Sequence, residues 1–141
     1  MNSTPSLDEW LKHKALKNQT MGASRTFVVC ESSANQVIGF YALATGSVQR
    51  QSVSGALRRN MPDPLPVLVL GRLAVDERYH RQGIGAGLLK DAILRSRQVA
   101  EQVGTKALLV HALSEDAKDF YLHWGFTSSE IQPNTLLLPL W

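Results

Sequence analysis

The sequence predicts an α/β domain in which a mixed sheet is flanked by helices. Two observations carry that prediction. The first is Val67-Leu68-Val69-Leu70-Gly71-Arg72-Leu73-Ala74-Val75, a nearly continuous apolar run of strand length, as a strand buried on both faces requires. The second is the segment behind it: Ile84, Leu88, Leu89, Ala92, Ile93, Ser96, Ala100 and Val103 recur at the spacing of one helical face, and Gly104 supplies a stop. Strand, glycine turn, helix, strand, helix, strand is the order of an α/β arrangement, and a hairpin in front of it makes the sheet mixed.

The other elements follow in chain order. Leu7, Trp10, Leu11, Ala15 and Leu16 predict an amphipathic helix over residues 6–18, with lysines between them, and residues 19–24 break it. Residues 25–31 and 36–48 are rich in Val, Ile, Phe and Tyr, and the polar link Ser32-Ser33-Ala34-Asn35 predicts an antiparallel hairpin. Residues 49–66 read as a surface connection with one short helix near 53–60. After the long helix, residues 106–113 form a strand. Ser114 caps a short helix carrying Glu115 and Asp116 in its first turn, where negative charge suits the helix dipole, and Gly125 ends it. From Phe126 onward, through Leu136-Leu137-Leu138, the chain supplies one or two final strands.

A chain of 141 residues, 44% hydrophobic and 19% charged, is expected to form one domain, residues 1–141. No signal peptide or membrane-length apolar run is present in it, so a soluble, cytoplasmic protein without a membrane partner is expected. The single cysteine, Cys30, cannot form an intrachain disulfide and reads as a buried small hydrophobe rather than a nucleophile. His13, His80, His111 and His123 show no paired ligand spacing, so no metal is expected. The net charge of +3 favours an anionic partner without naming one, and its basic residues fall in small knots.

The segment Arg78-Tyr79-His80-Arg81-Gln82-Gly83-Ile84-Gly85-Ala86-Gly87 places bare backbone at the mouth of the long helix. The first amides of a helix lack intrahelical acceptors, and the aligned peptide dipoles leave partial positive charge there. Arg81, Gln82, Gly83, Gly85 and Ala86 are therefore candidates to cradle a pyrophosphate, with Arg78 and Arg81 adding charge. Tight strand-to-helix packing is a second reading of the glycines, and the residues alone leave both open. A nucleoside-triphosphate loop is excluded, because no Gly-Lys-Ser/Thr follows, and the dinucleotide pattern GxGxxG is not met.

Leu73-Ala74-Val75, then His80-Arg81-Gln82-Gly83-Ile84-Gly85, then Asp119-Phe120-Tyr121-Leu122-His123-Trp124-Gly125-Phe126, together resemble the GCN5-related N-acetyltransferases (GNAT family). The resemblance implies a mixed, mostly antiparallel central sheet flanked by helices, and acetyl-coenzyme A (acetyl-CoA) as co-substrate. It places the acetyl donor on Leu73, Ala74, Val75, Arg81, Gln82, Gly83, Ile84, Gly85, Ala86 and Phe120. A backbone amide at residues 73–75 would polarise the thioester carbonyl, and Tyr121 would be the general acid for the departing sulfur. Without the resemblance, Tyr121 reads as an aromatic packed beside Phe120 and Trp124. His80 stands where the family usually has Gln or Arg.

Ala15-Leu16-Lys17-Asn18-Gln19, Gly22-Ala23-Ser24-Arg25-Thr26, Tyr41-Ala42-Leu43-Ala44-Thr45-Gly46-Ser47, Leu70-Gly71-Arg72-Leu73-Ala74-Val75-Asp76 and Val110-His111-Ala112-Leu113 narrow the resemblance to the acetyltransferase toxins of bacterial toxin–antitoxin modules. That group implies acetylation of the α-amino group of aminoacyl-tRNA, a block of translation, a small ribbon-helix-helix antitoxin as partner, and a homodimer. It also implies a strand before the first helix, whereas this sequence begins almost at that helix, so either a shortened chain or a sheet without that edge strand is expected. Lys17, Arg25, Arg72 and Arg78 are the candidate tRNA contacts. Arg72 needs either a buried partner or a place in the substrate cleft. His111 reads as a proton relay or a hydrogen-bonded core histidine, and Lys118 as a phosphate contact or a solvated lysine. Acetylation of a small amine or protein lysine, and a non-catalytic acetyl-CoA-binding regulator, are the alternatives.

Overall fold

The structure is a computed structural model that describes residues 24–31, 36–53, 55–59, 61–80 and 82–141. The expected helix over 6–18, with Trp10 and Lys17, and Arg81 all lie outside the described residues. Six strands form one sheet in the order β1 (Arg25–Glu31), β2 (Gln36–Val48), β3 (Leu65–Val75), β4 (Ala107–His111), β6 (Thr135–Pro139), β5 (Thr127–Ser128). Among the described residues three α-helices accompany them: α1 (Gly55–Arg58), α2 (Ile84–Val103) and α3 (Glu115–His123). Pairs β1/β2, β4/β6 and β5/β6 are antiparallel, the first as the hairpin pattern predicts. Among the described residues no helix is long and apolar enough to cross a bilayer.

The chain groups into two compact units, Met1–Ala44 with Leu70–Ala92, and Thr45–Val69 with Ile93–Trp141. In the first, β1 lies on β2 with a register shift between Val29 and Cys30, and Phe27 stacks on Tyr41 with ring centroids 5.0 Å apart. Tyr41 is fully buried and donates its hydroxyl to the Asp91 carboxylate, which ties α2 to β2. Gly39 permits a close approach within this unit. A Cβ there would stand 3.0 Å from Leu88 Cδ1, 3.2 Å from the Ala74 carbonyl oxygen and 3.5 Å from Ile84 Cγ2. The missing side chain therefore lets the end of β3 and the start of α2 settle onto β2.

The second unit is built on Val53, Leu65, Val67, Ala107, Leu109 and Leu137, which form one apolar cluster, with Val48, Met61 and Val69 packed against it. Lys106 extends the pairing on both sides of β4: its N–H donates to the Pro66 carbonyl at 2.9 Å, and its carbonyl accepts from Leu140 at 3.0 Å.

Two expectations are corrected. Cys30 is exposed rather than buried, because it shares an outward face of β1 with Val28, two residues before it. The apolar run of β3 is not covered throughout. Leu65, Val67, Leu68 and Leu70 are buried, but Gly71 is exposed and Arg72 and Leu73 are half-buried, before Ala74 and Val75 are covered again.

Candidate functional site

The first unit contains the turn between β3 and α2. A single 3-10 turn, Glu77–Tyr79, follows β3, and Asp76 caps it by accepting from the Arg78 N–H at 2.9 Å. The Asp76 N–H itself donates to the Ile38 carbonyl at 2.7 Å. Arg78 returns its guanidinium to Asp76, Nε to Oδ1 and Nη2 to Oδ2, each at 3.1 Å. These bonds hold the Asp76 carboxyl below the usual carboxylate range, the side-chain bond from Arg78 contributing most. The charge of Arg78, expected to face phosphates, is thus offset by a neighbour. The pair is exposed, and such pairs contribute only about 0–1 kcal/mol, so an incoming phosphate competes for the guanidinium at small cost.

Beyond the turn the backbone opens. Gln82 and Gly83 are exposed, and Gly83 has φ +79°, a left-handed conformation that side chains rarely adopt. A Cβ built on Gly83 would meet no atom within 4 Å, so the glycine serves backbone geometry and open access rather than packing. The Gly87 N–H closes the first helical bond onto the Gly83 carbonyl at 3.0 Å, which leaves the preceding amides of α2 without helical acceptors. Its first turn, with Ile84, Gly85 and Ala86, holds no acidic residue to repel an anion. The exposed backbone of Gln82 and Gly83, the dipole and the absent carboxylate suit a pyrophosphate, whereas the candidate Gly85 is buried and Ile84 and Ala86 are half-buried. His80, the departure from the expected pattern, places Nε2 2.8 Å from the Val75 carbonyl oxygen.

The second unit contains α3 and its cap. Ser114 accepts from the Ala117 N–H at 3.1 Å, as the N-cap pattern predicts. At the other end the Phe126 and Gly125 N–H groups donate to the Tyr121 and Leu122 carbonyls, both at 3.1 Å, and Gly125 has φ +95°. This six-to-one and five-to-two pair is a Schellman cap, which explains why Gly-Phe follows the aromatic segment. Tyr121 is buried, with Phe120 and Phe126 edge-on at 5.3 and 5.4 Å. Burial pushes its phenol up to about 12. The group is neutral and can donate a proton at physiological pH.

Other candidates are placed differently. His111 is exposed at the end of β4 and is no core histidine, although it is hydrogen-bonded: Nδ1 lies 3.1 Å from Thr135 Oγ1. Arg25 is exposed on β1, Arg72 is half-buried, and each has an interaction partner. Lys118 is half-buried on α3. No metal-binding group of three or more His, Cys, Asp or Glu side chains occurs among the described residues. Sequence reasoning missed Gly39 and the Asp76 cap. An Asp directly after a buried strand was a legible cap signal; Gly39 had none, because its close neighbours are remote in sequence.

An exposed turn of backbone between a strand end and a helix start suits an anionic group. The chain belongs to the GNAT acetyltransferases: the family described as Acetyltransferase (GNAT) domain matches residues 23–128. A tRNA-acetylating toxin of Mycobacterium tuberculosis (strain ATCC 25618 / H37Rv) is 49% identical over 134 residues, covering 95% of this chain and 80% of that protein. A probable toxin TacT of Sinorhizobium fredii (strain NBRC 101917 / NGR234) is 27% identical, covering 95% and 79%. Among solved structures, AtaT complexed with acetyl-methionyl-tRNAfMet superposes with a TM-score of 0.91 at 28% identity, covering 97% of this chain and 83% of that one.

Proposed function

We propose that this acetyltransferase transfers the acetyl group of acetyl-CoA to the α-amino group of aminoacyl-tRNA and thereby stops translation as the toxin of a toxin–antitoxin pair. The observation that carries the reading is the 49% identity, over 95% of the chain, to a protein named for acetylating tRNA. The similarity to AtaT bound to acetylated methionyl-tRNA supports the same substrate, and AtaTR bound with acetyl-CoA, 29% identical with a TM-score of 0.81, supports the same donor.

Acetyl-CoA supplies an activated acyl group on a thiol that leaves. In this reading the amides of residues 82–86 bind its pyrophosphate, with Arg81 adding charge, and Phe120 lies along it. An amide in Leu73–Val75 polarises the carbonyl, a contribution that is often the largest in acyl transfer. The substrate amine needs no strong base, since an α-amino group titrates near 8 and esterification of its carboxyl lowers that further. As its nitrogen bonds to the carbonyl carbon, the carbon–sulfur bond breaks, the sulfur takes a proton from Tyr121, the amine gives one up to solvent, and solvent returns a proton to Tyr121.

The Tyr121 phenol at about 12 lies some 3.5 units above an ordinary thiol at about 8.5, a mismatch of about 5 kcal/mol for full transfer in water. Desolvation raises both groups in the same direction, so excluding water from the donor narrows that gap. Tyr121 thus acts by hydrogen-bonding the sulfur as charge develops and releasing its proton as the bond breaks.

Arg25, Arg72, Arg78 and Lys17 are the proposed phosphate contacts of the tRNA. A small ribbon-helix-helix antitoxin is the proposed partner, a reading supported by the structure of AtaT bound to the C-terminus of its antitoxin AtaR, 26% identical to this chain. A homodimer is proposed as well, with exposed Trp141 available to an interface. The experiment mixes purified protein and radiolabelled acetyl-CoA with charged and uncharged total tRNA. Label entering only charged tRNA is expected. Label entering polyamines or lysine peptides instead would transfer the chemistry to another amine.

A further inference from the structure

We propose that His80 is a positioning residue for the pyrophosphate of the acetyl donor, acting by clamping the turn that presents the amides of residues 82–86 to the end of β3. The clamp is the 2.8 Å bond between His80 Nε2 and the Val75 carbonyl oxygen. A carbonyl only accepts, so Nε2 carries the hydrogen and the tautomer is set by this contact. Val75 is the last residue of β3, and the ring therefore spans the turn from one end to the other.

Several backbone groups inside that span are already bonded. Tyr79 N–H reaches the Asp76 carbonyl at 2.9 Å, His80 N–H reaches the Glu77 carbonyl at 3.2 Å, and Asp76 anchors the segment to Ile38 at 2.7 Å. Immediately after His80 the order of constraints reverses. Gln82 and Gly83 are exposed, Gly83 is left-handed, and nothing packs where its Cβ would be. The amides proposed for a ligand thus follow this bonded turn, and among the described residues His80 is the last side chain before them with a hydrogen bond to the end of β3. An imidazole at this position holds the backbone in register before the donor arrives, so that less ordering is left for binding to accomplish.

The inference rests on the reading of this turn as the acetyl-CoA site. The test compares wild type with His80→Ala, His80→Gln and His80→Asn, using acetyl-CoA and S-acetyl-pantetheine, a donor without pyrophosphate. His80→Ala is expected to raise the Kd and KM for acetyl-CoA about tenfold with kcat changed by no more than about twofold, the worth of one hydrogen bond used for positioning. Its kcat/KM on S-acetyl-pantetheine stays at the wild-type value. His80→Gln restores the acetyl-CoA KM, because its terminal N–H reaches about as far as Nε2; His80→Asn, which reaches only as far as Nδ1, does not.

Equal losses on both donors would show a merely structural histidine and overturn the proposal, as would an unchanged KM in His80→Ala or full rescue by Asn. A wild-type protein that binds no acetyl-CoA at all would instead overturn the donor reading itself, and the two failures are told apart before any variant is made.

Discussion

Phe126 donates its backbone N–H to the Tyr121 carbonyl at 3.1 Å and lays its ring edge-on against the Tyr121 ring at 5.4 Å. One residue thereby closes the helix and encloses the phenol that it carries. The glycine between them is the hinge of this arrangement, since only a left-handed residue at 125 brings the chain back across the helix end.

Replacing Gly125 with Ala is therefore expected to act through backbone strain. A Cβ there would come no closer than 3.8 Å to Leu138, so sterics are not the obstacle. Stability should fall by about 1–2 kcal/mol, and kcat should fall with it as Tyr121 loosens. Asn, which tolerates the left-handed region, should recover most of both. Urea unfolding and acetyl-transfer rates on the two variants check this.

Tyr121→Phe removes the proposed acid and little else. Activity on charged tRNA is expected to drop about 10²- to 10⁴-fold with the Kd for acetyl-CoA unchanged. A variant that keeps wild-type kcat would reduce Tyr121 to a packing residue.

The same tyrosine predicts a pH dependence of stability. Its phenol titrates near 10 in the unfolded chain and is pushed up to about 12 in the folded one. Below pH 10 both states hold the proton and the contribution is fully present. As pH rises from 10 to 12 the unfolded chain loses its proton first, so stability falls, by about 3 kcal/mol in all. Denaturant midpoints between pH 9 and 12 should show this loss in wild type and a correspondingly smaller one in Tyr121→Phe.

Two glycines four residues apart should respond in opposite ways. Gly83→Ala places a methyl in the open space of a left-handed residue; acetyl-CoA affinity should fall at least about tenfold, with about 1 kcal/mol of stability lost. Gly87→Ala lies within α2 with nothing near its Cβ, and should stabilise the protein by about 0.5–1 kcal/mol through helix propensity. Isothermal titration with acetyl-CoA and thermal unfolding separate the two.

Gly39→Ala tests how β3 and α2 are seated. Leu88 Cδ1, at 3.0 Å, is the end of a flexible side chain and can move, but the Ala74 carbonyl, at 3.2 Å, is backbone. The expected cost is about 1–3 kcal/mol, with a raised KM for acetyl-CoA because the strand end and helix start shift together. An unchanged KM would show that the turn adapts independently of its seat.

The strands 25–31 and 36–48, the long helix from Ile84 to Val103, the capped helix at Ser114 and its stop at Gly125 could all be read from the chain, because each depends on periodicity, propensity or cap chemistry within a few residues. The exposed glycine turn before α2 was legible for the same reason. Its constraints were not. His80 on Val75, Arg78 on Asp76 and Tyr41 on Asp91 are choices among several partners within reach, and only the folded backbone decides between them. Cys30 came out on an exposed face because strand pairing, not hydrophobicity, decides which side of a strand is covered. Sequence alone determined which segments could become strand, helix and exposed glycine turn. Tertiary structure decided which polar groups are spoken for, because a hydrogen bond between residues as distant as 41 and 91 needs a geometry that no local pattern encodes.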